Sequence, residues 1–261
     1  MISNIVNCIF CDTNTESKTI EHIVSESFGN RTYVMQKGKV CDVCNGRFSK
    51  FESTALTNSV FIMERARFGV QTKKGRNVKG KVNDLIITGD IEFRPTYLSI
   101  QGLNEENLKD FDPSTQIGHL VVDSFDKSEV STSKLLLKIG LESIFTSQRC
   151  LFNKYDFKEL KDFLTTKSNT DWPFLTTDFE ASKFHSVPKF IDKYRLRQCY
   201  CQIKFLEIDE NTLLFKFKYG AIPMTLNLIN RNLDWIKKNL AQDKKARLYP
   251  EHFRNKLAKA K

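Results

Sequence analysis

Hydrophobic positions along this chain follow two periods, and each predicts its own elements. Phe48, Phe51, Ala55 and Leu56 recur at helical spacing, so a helix is expected with Asn45 in its first turn. Phe61, Ile62, Ala66 and Phe68 continue that stripe, with Arg65 on a basic flank. Leu135, Leu136, Ile139 and Ile144, following Ser133, predict a buried helix, and Phe157, Leu160, Phe163 and Leu164, following Asp156, a second. Elsewhere the period is two. The β-branched run at residues 19–24 predicts a short strand with residues 25–30 as its turn. Residues 82–100 predict short strands turning at Thr88-Gly89-Asp90, between Leu85-Ile86-Ile87 and Ile91-Glu92-Phe93, and residues 116–125 one more. Cys199, Cys201, Ile203 and Phe205 alternate with polar neighbours, Asp209-Glu210-Asn211 offers a turn, and Leu213, Phe215, Phe217 and Tyr219 alternate with Leu214, Lys216 and Lys218. That pattern predicts an antiparallel hairpin with one apolar face, the lysines lying on a solvated face opposite the core. A short helix opening at residues 232–236 precedes the basic tail.

Composition leaves this picture standing and narrows the setting. Apolar residues make up 40% of the 261, ample for a core, and no apolar run approaches the roughly 18 residues of a membrane span. Residues 1–7 lack a basic start and a long apolar core, so no secretory signal is read there. The net charge of +10 is uneven. Residues 47–81 hold nine Lys/Arg against two acids, and residues 231–261 hold ten against three. Such blocks supply the phosphate-neutralising term of nonspecific nucleic-acid binding, although a solvated helix face or a disordered tail has the same composition.

The cysteines change the picture most. Cys8 with Cys11 and Cys41 with Cys44 form two Cys-x-x-Cys pairs, where seven scattered cysteines would give roughly 0.16 such pairs by chance. The two-residue gap lets a tight turn present two thiolates to one ion, and two turns complete a closed tetrahedral site without an open position. This reads as structural Zn²⁺, and metal-bound thiols suit a reducing cytoplasm. The 29 residues between the pairs, 12–40, exceed the roughly 15–20 of a simple ribbon. Within that loop lies the dipeptide Glu21-His22, whose side chains would point to opposite faces of a strand unless a bulge or the strand's end re-aims one.

Cys8-x-x-Cys11, Glu21-His22-Ile23-Val24, Cys41-x-x-Cys44-Asn45 and Phe48-Ser49-Lys50 together resemble the zinc-containing branch of the HNH (ββα-metal) endonucleases, over roughly residues 8–52. The resemblance implies that Glu21 and Asn45 hold a catalytic Mg²⁺ or Mn²⁺ and that His22 activates the attacking water. Asn45 stands where the family commonly has histidine. The asparagine that props the hairpin loop in that family has no clear counterpart, and Gln36 is the nearest amide by spacing. The chemistry agrees: two hard oxygen ligands suit such an ion, and an imidazole can take a proton near neutrality. Other readings stay open, with His22 packed against a zinc knuckle or ligating the zinc, Glu21 solvated, and Asn45 a simple helix cap.

The expected protein is therefore α+β. An N-terminal ββα-metal module with a four-cysteine zinc (1–70) and a basic linker (71–81) precede an α+β recognition or regulatory domain with a basic C-terminal tail (82–261). Its expected activity is divalent-metal-dependent cleavage of DNA phosphodiesters, as in restriction or anti-phage defence, with Arg47, Lys50, Arg65, Arg67, Lys73, Lys74 and Arg76 as phosphate contacts. A noncatalytic zinc-stabilised DNA- or RNA-binding module, and a nuclease subunit that acts as a homodimer or after engaging an activating protein partner, are the alternatives.

Overall fold

The computed structural model describes residues 7–13, 17–72, 74–89, 97–166, 170–178, 181–186, 201–243 and 245–259. After a 3-10 turn at Glu26–Phe28 come α1 (Asp42–Ala55) and α2 (Ser59–Arg67), then strands β1 (Lys79–Val82), β2 (Leu85–Gly89) and β3 (Leu98–Gln101). A separate hairpin, β4 (Leu108–Asp112) and β5 (Ile117–Leu120), precedes helices α3 (Glu129–Ser147), α4 (Arg149–Lys154) and α5 (Lys158–Thr165). Strands β6 (Phe174–Thr176), β7 (His185–Ser186), β8 (Cys201–Asp209), β9 (Thr212–Tyr219) and β10 (Ile222–Asn227) follow, and α6 (Asp234–Gln242), β11 (Arg247–Tyr249) and α7 (His252–Lys259) close the chain. The last six strands form one antiparallel sheet in the order β11-β6-β10-β9-β8-β7. The α+β class is as expected.

Helix α1 begins where Cys41 caps it, its sulfur accepting from the Cys44 N–H, three residues before Asn45. Cys44, Phe48, Phe51 and Ala55, spaced four, three and four apart, make its buried face. The helix stops at Ala55, and Asn58, at the start of α2, has a buried side chain that knots three segments. Its amide donates to the Ala55 and Ser128 carbonyls, at 2.9 and 3.2 Å, and to the Thr132 hydroxyl, at 3.1 Å. Its oxygen accepts from the N–H groups of Lys127 and Ser128. The apolar stripe therefore resumes in α2 as a separate helix, and the end of α1 is pinned beside the start of α3.

Helix α3 is buried almost all round, with Leu135, Leu136, Leu137, Ile139, Leu141 and Ile144 supplying its apolar contacts. One side receives α1, and another lies on the large sheet, where Gly140 lets Leu228 and Phe215 approach so closely that a Cβ would stand 2.6 Å from Leu228. Side chains of residues 8–61 and of 125–228 join in a single hydrophobic core. Phe28 shows the continuity: its ring packs between Phe61 and Tyr219, at 5.2 and 4.4 Å, and its carbonyl accepts from the Tyr219 hydroxyl at 3.3 Å.

Several expectations are corrected here. Residues 71–81 are not a free linker, because Gln71 bridges Asn77, Val78 is buried, and β1 begins at Lys79. The cause is apolar: Val82 joins Ile62, Ala66, Leu85 and Ile87 in a small second core. Gly89 lies in β2, which pairs with β1 before it and β3 after it; residues 90–96 lie outside the described residues, as does Cys199. The C-terminal block is folded, since β11 pairs with β6 and α6 and α7 supply Trp235, Ile236 and Phe253 to a third cluster. That cluster covers the second face of the large sheet. Leu214 and Lys216, expected on a solvated face, are both 3% exposed, with the Lys216 ammonium over the Phe184 ring at 4.5 Å. Among the described residues no helix is long and apolar enough to cross a membrane.

Candidate zinc site and catalytic cleft

The two Cys-x-x-Cys turns fold onto each other because backbone pairing brings them there. Ile9 donates to the Lys39 carbonyl at 2.9 Å, and Asp12, in the left-handed region at φ 54°, closes the first turn on the Cys8 carbonyl. The Sγ atoms of Cys8, Cys11, Cys41 and Cys44 all lie within 4.8 Å of one another, and those of Cys11 and Cys41 are 3.7 Å apart. A tetrahedral zinc thiolate at about 2.3 Å per bond has edges of about 3.8 Å, so this donor set fits zinc. Backbone N–H groups of Cys41 and Cys44 point at the Cys8 and Cys41 sulfurs, both at 3.4 Å, which favours thiolates. A hydrogen bond from Cys44 pulls the Cys8 thiol down to about 4 and raises that of Cys44. His22 is not a member of this sulfur cluster.

Beside it, Glu21, His22 and Asn45 meet. The expected strand at residues 19–24 is reduced to a single antiparallel bridge between His22 and Val34, after which the chain bends into the 3-10 turn. A single bridge does not impose alternation, so Glu21 and His22 both line one cleft of about 230 Å³, with Ser25, Glu26, Asn45 and Glu52. Asn45, inside the first turn of α1 rather than at its cap, donates from Nδ2 to the Thr19 hydroxyl at 3.0 Å. Thr19 in turn donates to Asp42 at 2.8 Å, which orients the amide. The His22 imidazole makes no hydrogen bond among the described residues.

The prop of this loop is Asn30, not Gln36, which is exposed and contributes only its carbonyl to a turn at Lys39. Fully buried, Asn30 donates to the carbonyls of Val24 and Tyr33 and accepts from the N–H groups of Thr32 and Tyr33, at 3.1 and 2.9 Å. The signal was present in the sequence: an asparagine after Gly29 is suited to bonding the backbone two residues on.

Glu21 is buried and ion-paired to Lys138 of α3. The same ammonium, itself 0% exposed, lies 2.8 Å from Glu52 Oε1 and 3.4 Å from Glu142 Oε2, and donates to the His22 carbonyl at 2.8 Å. Burial pushes the Glu21 carboxyl up against the pull of Lys138. Glu142, fully buried, is raised well above the carboxylate range for the same first reason, while the surrounding carboxylates outweigh burial at Lys138 and keep it charged. Sequence reasoning missed Lys138, Glu52 and Glu142. A Lys and a Glu four residues apart among the apolar residues 135–145 were the available sign, because buried charges require partners.

The proposed phosphate contacts divide. Arg67 pairs with Glu64 and lies over Phe68 at 4.5 Å, and Arg65 is half-buried with its guanidinium held near the Leu56 carbonyl. Arg47 donates to the carbonyl of Thr165 at the end of α5. Lys50, Lys74 and Arg76 are exposed; Lys73 lies outside the described residues.

Residues 8–61 match the family model of the HNH endonucleases. That match covers the zinc cluster, the cleft dipeptide and α1, and it supports nuclease activity for this segment. No curated protein and no solved structure matches the chain.

Proposed function

We propose that the cleft hydrolyses DNA phosphodiesters with a divalent ion, Mg²⁺ or Mn²⁺. The observation that carries this reading is the convergence of Glu21, His22 and Asn45 on one cleft, beside the sulfur cluster and inside the family-matched segment. Glu21, Asn45 and the unexpected Glu52 supply oxygen donors for the ion. They do not close around it as the cysteines do: among the described residues no group of three His, Cys, Asp or Glu donors other than the four cysteines lies that close together. Openness suits an ion that retains waters and takes a substrate phosphate. When bound, that ion neutralises charge on the phosphate and the leaving oxygen. His22, whose imidazole makes no other hydrogen bond among the described residues, accepts the proton of the attacking water. Lys50, Lys74 and Arg76 contribute phosphate attraction. A reducing cytoplasm and a role in restriction or anti-phage defence, alone, as a homodimer or with an activating partner, are compatible with this chemistry.

The test is plasmid cleavage by the zinc-loaded chain with Mg²⁺ or Mn²⁺ and in chelator. His22→Ala should retain zinc, fold and DNA affinity while cutting about 10²–10⁴-fold more slowly, the usual worth of a positioned base. Cutting at the wild-type rate would remove His22 as the base, and wild-type chain that binds DNA without cutting it would replace this reading with the noncatalytic binding module.

A further inference from the structure

A buried lysine touches both residues of the dipeptide, and it comes from outside the zinc module. Lys138 stands on α3, 116 residues from His22 in sequence, and lies behind the cleft rather than in its lining. An ammonium has three N–H donors, and four oxygens face this one. Glu21 Oε1, Glu52 Oε1 and the His22 carbonyl are the near ones, while Glu142 Oε2, at 3.4 Å, is farthest. The arrangement thus selects the two carboxylates that line the cleft and the backbone of the base between them. Each of those carboxylates meets the ammonium through Oε1, so Oε2 is not the oxygen used.

Other contacts hold the same strip of chain to α3. The Tyr33 and Ser147 hydroxyls are 3.0 Å apart, and the Thr146 hydroxyl donates to the Met35 sulfur at 3.2 Å. Tyr33 and Met35 flank Val34, the partner of His22, so both sides of the bridge are anchored on one helix.

Building on the nuclease reading above, we infer that Lys138 is a positioning residue of the cleavage site, setting Glu21 and Glu52 as a carboxylate pair for the divalent ion and fixing the backbone of His22. The site is then shared between the family-matched segment and α3, and residues 8–61 alone lack its organising cation. Glu52, two turns along α1 from Asn45 and on the same side of that helix, is the second carboxylate facing the ion.

The sign of one measurement separates positioning from neutralisation. Lys138→Met removes a positive charge beside the site, so charge alone would make Mn²⁺ bind more tightly. Loss of positioning makes it bind more weakly, by about 10–100-fold, the usual worth of a group that orients metal ligands. Mn²⁺ affinity is read on the zinc-loaded full chain from the EPR signal of free Mn²⁺, with zinc content and circular dichroism as controls on the fold. Glu52→Gln should weaken Mn²⁺ about tenfold or more. If Lys138→Met does not fold, Lys138→Met with Glu142→Gln removes a buried carboxylate together with its cation, and the same weakening is expected. Equal or tighter Mn²⁺ binding in whichever lysine variant folds overturns the positioning role, and unchanged binding in Glu52→Gln removes Glu52 from the pair. Wild-type chain that neither binds Mn²⁺ nor cuts DNA overturns the nuclease reading and this inference together, whereas wild type that does both, beside an unaltered lysine variant, overturns only the inference.

Discussion

The sulfur cluster and the cleft lie side by side in one short segment, yet they are held together in opposite ways. The four cysteines are brought within 4.8 Å by two local turns and the pairing of Ile9 with Lys39, all within residues 8–44. The cleft is local in its lining but distant in its support, because Glu21, Glu52 and the His22 backbone all rest on Lys138 of α3. The difference matches the chemistry proposed for each. A structural zinc site satisfies itself, its four thiolates and two charges closing on one another. A catalytic site has to remain open on one side, so its donors cannot hold each other and need a rigid element behind them.

The largest effect should come from breaking the self-contained region. Cys41→Ala removes both a sulfur and the cap of α1, and zinc binding in small modules contributes on the order of 10–16 kcal/mol. Because Cys8, Cys41 and Cys44 belong to the same core as α3, the loss should spread beyond the module, abolishing the cooperative thermal transition along with the zinc measured by elemental analysis. A separate transition surviving for the rest of the chain would show that the two regions fold independently.

Asn30→Ala tests the loop between the regions. Four backbone groups lose their partner in a buried place, at a cost of about 1–3 kcal/mol in urea unfolding. Cleavage should fall while zinc content stays at one per chain, since the sulfurs do not depend on this amide; zinc lost in parallel would make the two regions one.

The smallest effect concerns pH. Burial raises the Glu142 carboxyl above its unfolded value of about 4.3, so folding takes up a proton there. The stabilisation this provides is complete below the unfolded value and is lost as pH rises through the folded one. Lys138, Glu21, Glu52 and Tyr33 are the charged or titratable groups around it. Glu142→Gln should therefore flatten the decline of stability with rising pH above the acid range, measured by urea unfolding at a series of pH values. An unchanged slope would place the shared proton on another carboxyl of the cluster.

How much of this was legible depends on how far apart the partners are. Cys-x-x-Cys spacing, the stripe of α1 and the alternation of β8 and β9 are local patterns, and the structure has them within a few residues of where they were read. The face of β9 carrying Leu214 and Lys216 could not be read the same way, because what covers it is α6 and the β11 segment, elements beyond its own hairpin. Arg65 and Arg67 follow the same logic: their charge is a property of the residue, but their availability to a phosphate was decided by Glu64, Phe68 and burial.

By itself, then, the sequence determined which atoms could bind metal and which side chain could take a proton, since thiolates at a two-residue gap and an imidazole beside a carboxylate keep their chemistry in any fold. Only the tertiary structure decided that Glu21 and His22 face the same cleft, that Asn30 props the loop, and that the cation behind them is Lys138. These depend on a strand reduced to one bridge and on a helix more than a hundred residues away, and burial converts a lysine among apolar neighbours into the group on which two carboxylates and a backbone carbonyl converge.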